Sequence, residues 1–172
     1  MRKVMRLVVA LVMVMAMSAS AFAVSKVSSN SAAENLALKN ANLTKAKVSN
    51  LRVKYDRRDG EYDVKFVRKS NGAKYDYEIR KSNGRITEKS IDFKHKRNSS
   101  RKKIGKAAAQ SAAARAAGVK VAVVKKGKCA YDYDDGKGVY EVEFRNGKYK
   151  YEIEILAPTG QLIEYSWEYT GR

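Results

Sequence analysis

The hydrophobic positions of this chain change period, and the change divides it into elements. Ala33, Leu36, Ala37 and Ala41 recur at helical spacing, which predicts one apolar helix face. From Leu51 the period becomes two. Leu51, Val53 and Tyr55 alternate with Arg52, Lys54 and Asp56; Tyr62, Val64 and Phe66 with Asp63 and Lys65; Tyr75, Tyr77 and Ile79 with Asp76, Glu78 and Arg80. This is the pattern of strands with one greasy and one salt-rich face. Asp59-Gly60, Asn71-Gly72 and Asn83-Gly84 fall at the joints, where short turns connect antiparallel neighbours. Ser31 and Glu34 have the spacing of a capping box, and Asn42 suits the left-handed residue that ends a helix.

The sentence is then written again. A shift of 76 places Asn42 on Gly118, Tyr55-Asp56 on Tyr131-Asp132, Asp59-Gly60 on Asp135-Gly136 and Glu78-Ile79 on Glu154-Ile155. Tyr62, Val64 and Phe66 align with Tyr140, Val142 and Phe144 only at 78. Confining such slippage to turns is what repeated strands tolerate. The second helix is expected over a run whose small face is Ala108, Ala109, Ala112, Ala113, Ala116 and Ala117, capped by Ser99 or Ser100 and stopped by Gly118. The expected architecture is α+β: two tandem units, each an N-terminal helix packed on its own four-stranded antiparallel sheet. The predicted boundaries are 1–23 for a signal peptide, 28–94 for the first unit, 95–106 for a basic linker and the start of the second helix, and 107–170 for the second unit. Each final strand, Ile86 to Phe93 and Leu162 to Tyr169, changes parity midway, so a bulge or twist is expected there.

The first 23 residues stand apart. Arg2, Lys3 and Arg6 precede an apolar run from Leu7 to Met17, and Ala21-Phe22-Ala23 supplies a small-x-small cleavage pattern. The run is too short to cross a bilayer. Cleavage after Ala23 and export to the periplasm, cell envelope or medium are expected, with no transmembrane span in the mature product.

Charge sharpens the picture. The chain carries a net +18 at neutral pH, and residues 96–106 hold six basic groups and no acidic one. Lys94, Lys96, Arg97, Arg101, Lys102 and Lys103 therefore form the best candidate contact for an anionic polymer or lipid headgroup, against the plainer reading of a solvated linker.

Candidate chemistry is sparse. Cys129, the only cysteine, is a reactive or dimer-forming thiol or else a small buried hydrophobe; its inward strand position favours burial. His95, the only histidine, lies in a basic stretch without the partners a metal site or nucleophile relay needs. Asp132, Asp134 and Asp135 suggest a calcium loop, but no twelfth-position glutamate follows, and a hairpin turn suffices. Glu141, Glu143, Glu152 and Glu154 alternate along strands beside Arg145, Lys148 and Lys150, which reads as a solvated, charge-paired face rather than an acid/base pair. The tyrosines mostly hold inward parity, so stacking on nucleic acid is not expected. No catalytic residue, cofactor or metal is predicted.

The order of elements, with YDVKF or YEVEF, then YDYEI or YEIEI, then a glycine turn followed by Ile-Thr-Glu or Leu-Ile-Glu, resembles the PepSY domain over nearly the whole mature chain. PepSY domains occur in propeptides of thermolysin-type metallopeptidases and in many exported bacterial proteins. The resemblance implies a non-catalytic module that binds and restrains a peptidase, and the layout also looks like the β-lactamase inhibitor proteins, which present a concave sheet to an enzyme. Candidate partner-facing positions are the outward residues Asp76, Glu78, Arg80, Lys150, Glu152 and Glu154. The alternative is a basic envelope protein that binds anionic surface polymers.

Overall fold

The computed structural model describes residues 26–95, 102–134 and 136–171. Helix α1 (Asn30–Asn40) precedes a meander of β1 (Val48–Asp56), β2 (Glu61–Arg68), β3 (Lys74–Arg80) and β4 (Ile86–Asp92). Helix α2 (Lys106–Ala117) and a short helix α3 (Val121–Val124) precede β5 (Lys128–Asp134), β6 (Lys137–Asn146), β7 (Tyr149–Leu156) and β8 (Leu162–Tyr169). The predicted signal peptide and the capping serines Ser99 and Ser100 lie outside the described residues.

Two separate sheets were expected, and the structure corrects this. All eight strands form one antiparallel sheet in the order β1-β2-β3-β4-β8-β7-β6-β5. The seam is β4 on β8, where Glu88 to Asp92 pair with Glu168 to Glu164. A four-stranded meander leaves the unpaired N–H and C=O groups of its last strand exposed. Here each last strand satisfies the other, so the sheet closes into one body with β1 and β5 at its outer edges.

The helices cover one face. α1 lies against β1 and β2, while α2 lies against β5 to β8. Alanine makes the close approach possible: Ala109, Ala113, Ala114, Ala116 and Ala117 are buried beneath α2, although Ala108, expected inward, is exposed. The same ring pair fills the core of each half, Phe66 on Tyr75 with centroids 5.0 Å apart and Phe144 on Tyr151 at 4.8 Å.

Local signals were partly displaced. α1 is capped by Ser29, whose Oγ accepts from the Ala32 amide at 3.2 Å, not by Ser31. Glu34 reaches Lys45 instead, at 2.8 Å. Gly105 holds the N-cap position of α2, which has no side-chain cap. Asn42 and Gly118 do stop their helices in the left-handed region, at φ 54° and 66°. The parity change in the last strands is a register shift in both places, beside Glu78/Ile79 and beside Glu154/Ile155. The extra residues are Thr87, whose hydroxyl donates to the Glu78 carbonyl at 3.2 Å, and Ile163, which is buried with Val139 and Leu156.

Candidate functional site: the open face of the sheet

Because helices occupy one face, the other is left to side chains of outward parity. Asp76, Glu78 and Arg80 stand on β3, and Lys150, Glu152 and Glu154 on β7. The β4–β8 seam brings these two groups, 76 residues apart in sequence, onto one continuous surface. The seam itself adds Glu88, Glu164 and Glu168, which the sequence reading had not placed at the site.

Register decides the electrostatics of this face. Glu78 lies opposite Glu88, and Glu88 opposite Glu168. Glu154 lies opposite both Glu141 and Glu164, and Glu143 opposite Glu152. Like charges directly across a ladder are destabilising. Some neutralisation exists: Lys150 pairs with Glu152, Lys128 reaches Glu143 at 3.5 Å and Lys137 reaches Glu154 at 3.5 Å, and Lys65 pairs with Asp76. The expected charge-paired face is therefore only partly paired, and at its centre carboxylates confront one another. Glu141, Glu143, Glu152, Glu154 and Glu164 line a shallow groove of about 250 Å³.

The carboxyls record this crowding. Partial burial, then the charges of Glu88 and Glu61, push Glu78 up to about 7. Burial, followed by Asp76 and Glu168, raises Glu88; burial, followed by Glu154 and Asp92, raises Glu164. A carboxyl that titrates higher in the folded than in the unfolded chain holds its proton more tightly when folded. Its stabilising contribution is complete below the unfolded value near 4.5 and is lost as pH rises through the folded value, for Glu78 about 7. Thermal melts should therefore show the face's contribution rising as pH falls from about 7 to 4.5. Glu88→Gln, which removes the charge between Glu78 and Glu168, should stabilise the free protein above pH 7 by up to about 1 kcal/mol, solvent screening keeping the gain small. The gain should vanish near pH 4.5; a loss of stability above pH 7 would show that the opposed charges do not repel.

The remaining candidates disperse. Lys94 and Lys102 are exposed, Lys103 places its ammonium 3.4 Å from the Tyr131 ring centroid, and Lys96, Arg97 and Arg101 lie outside the described residues. Cys129 is half-buried and free, with burial holding its thiol above the usual range. His95 is half-buried, its Nδ1 3.3 Å from the Phe93 carbonyl. Asp132 lies within β5, opposite Val139, and accepts from the Tyr133 amide at 2.8 Å; Asp135 lies outside the described residues. Among the described residues no three His, Cys, Asp or Glu side chains are grouped to hold a metal, and no helix is long and apolar enough to cross a membrane.

Residues 103–165 match the PepSY family, described as the peptidase propeptide and YPEB domain. The match covers α2 and most of the β5–β8 half, and it leaves the α1–β4 half outside. No curated protein matches the chain. Among solved structures, the Bacillus megaterium YpeB C-terminal domain is similar at 13% identity and a TM-score of 0.46, over 82% of this chain and 63% of that one. A protein described as a lipoprotein from Clostridium difficile 630 is similar at 16% identity and a TM-score of 0.31, over 71% and 82% respectively. The chain thus spans less than two thirds of the first of these.

Proposed function

We propose that the protein is a non-catalytic exported module that binds an extracytoplasmic peptidase and restrains it, taking a cationic surface of that partner on the open face of its sheet. The observation that carries this reading is the run of opposed glutamates across β3, β4, β8, β7 and β6. A chain of net +18 that concentrates like charges on one face is destabilised there when free, and a partner supplying lysine or arginine relieves the repulsion. The PepSY match supports the peptidase as partner, since the family's description includes peptidase propeptides. The signal-like residues 1–23 support export.

The competing reading is a polyanion binder that acts through Lys94, Lys102, Lys103 and their neighbours. Salt separates the two. The immobilised mature chain is exposed to exported proteins and, separately, to anionic envelope polymers, then washed at about 0.1 M and about 1 M salt, which shortens the screening length from ~10 to ~3 Å. A peptidase retained at both washes, and inhibited when the chain is added back, is the expected result. Retention of polymer alone, lost at the higher salt, would replace this reading with the other.

A further inference from the structure

The helix side of the sheet carries a second feature. A cleft of about 540 Å³ opens where the end of α2 meets the β6–β7 hairpin and the end of β8; Arg85, Gly118, Asn146, Lys148, Tyr149 and Tyr169 are among its lining, which includes no acidic residue. The guanidinium of Arg85 stands 4.4 Å over the Tyr169 ring. Tyr169 meets Tyr149 edge-on at 5.4 Å, and Tyr149 meets Trp167 at 5.2 Å.

Both cations are held by ordered backbone. The Arg85 amide donates to Asn83 Oδ1 at 3.0 Å and its carbonyl accepts from Arg80 at 2.8 Å. The Lys148 carbonyl accepts from the Thr170 amide at 2.7 Å. Among the described residues neither cation has a carboxylate partner. A guanidinium held over a ring has N–H donors to spare, and two of them can fork a carboxylate. The first half lacks the arrangement: buried Ala73 precedes β3 where Tyr149 opens β7, and the Lys94 side chain lies over Gly72. The cleft is therefore set by these side chains and not by the topology.

We propose that this cleft binds a short peptide segment bearing one carboxylate, forked by Arg85 and steadied by Lys148, with the adjoining side chain against Tyr149 and Tyr151. Two cations on an open cleft match one or two charges, whereas a polyanion needs a longer basic stripe. The volume lies in the range of ligand sites. The site faces away from the acidic sheet face and does not depend on the function proposed for it.

The test uses the mature chain and a labelled peptide with one glutamate followed by phenylalanine among glycines and serines, alongside its glutamine counterpart. Binding is read by polarisation of the label and by emission of Trp167, the only tryptophan. The glutamate peptide should bind about tenfold more tightly than the glutamine peptide, and Arg85→Gln and Lys148→Gln should each weaken it about tenfold with circular dichroism unchanged. Glu88→Gln/Glu152→Gln/Glu154→Gln should leave it intact, and inorganic polyphosphate should not displace it. Equal affinity for the two peptides, indifference to the Arg85 and Lys148 variants, loss in the triple variant, or displacement by polyphosphate would each overturn the proposal.

Discussion

Lys89→Met is expected to stabilise the protein at neutral pH by about 2 kcal/mol, the range seen when a buried charge is replaced by an apolar side chain of similar length. Lys89 has inward parity on β4, is only 2% exposed, and lies 5.4 Å from the Tyr77 ring centroid. Its ammonium donates to Asn40 Oδ1 at 2.9 Å, at the C-terminal end of α1, where the helix dipole favours a cation. That compensation is incomplete, because burial lowers its pKa to about 8. The folded chain thus holds this proton less tightly than the unfolded chain. The cost is full below the folded value and disappears as pH rises through the unfolded value near 10.5. Denaturant melts should show the advantage of Lys89→Met constant below about pH 8 and closing toward pH 10.5. Asn40 keeps the Tyr77 hydroxyl, at 3.2 Å, as its remaining donor. A destabilised variant, or a gap that ignores pH, would mean that no charge is buried there.

Gly127→Ala should have the largest opposite effect, a loss of about 3 kcal/mol. A Cβ at Gly127 falls 2.0 Å from the Glu143 carbonyl oxygen and 2.9 Å from Phe144 Cα. These are backbone atoms of β6 and cannot swing aside, so the start of β5 must move off its neighbour. Gly60→Ala is the control. It has nothing within 4 Å and only a positive φ of 70° to tolerate, which costs about 1–2 kcal/mol. Equal losses at the two sites would show that β5 shifts freely at the edge.

The strands were legible because they have one wet face: the alternation of Tyr62, Val64 and Phe66, or of Tyr75, Tyr77 and Ile79, marks inward positions, and all six are buried. The mid-strand parity change was legible for the same reason, and it became the register shifts at Thr87 and Ile163. What alternation lacks is any mark of which edge meets which. Glu88 to Asp92 and Glu164 to Glu168 read as ordinary outer strands, and nothing in their period announces that they pair. The charge pattern was misjudged on the same account. Along β7, Lys150, Glu152 and Glu154 look balanced, whereas the opposed pairs Glu143–Glu152 and Glu154–Glu164 exist only once register is known. Lys89 was hidden too, being a polar residue at an inward position whose acceptor, Asn40, is 49 residues away.

The docking role proposed for the open face is tested most directly by one affinity comparison. The partner captured by the mature chain is titrated calorimetrically against wild type and against Glu88→Gln/Glu152→Gln/Glu154→Gln at moderate salt. Removing three carboxylates from a covered face should weaken binding by at least about tenfold, with part of the loss in association rate. Unchanged affinity, in a variant that is folded and no less stable than wild type, would place the partner elsewhere and contradict the role assigned to this face.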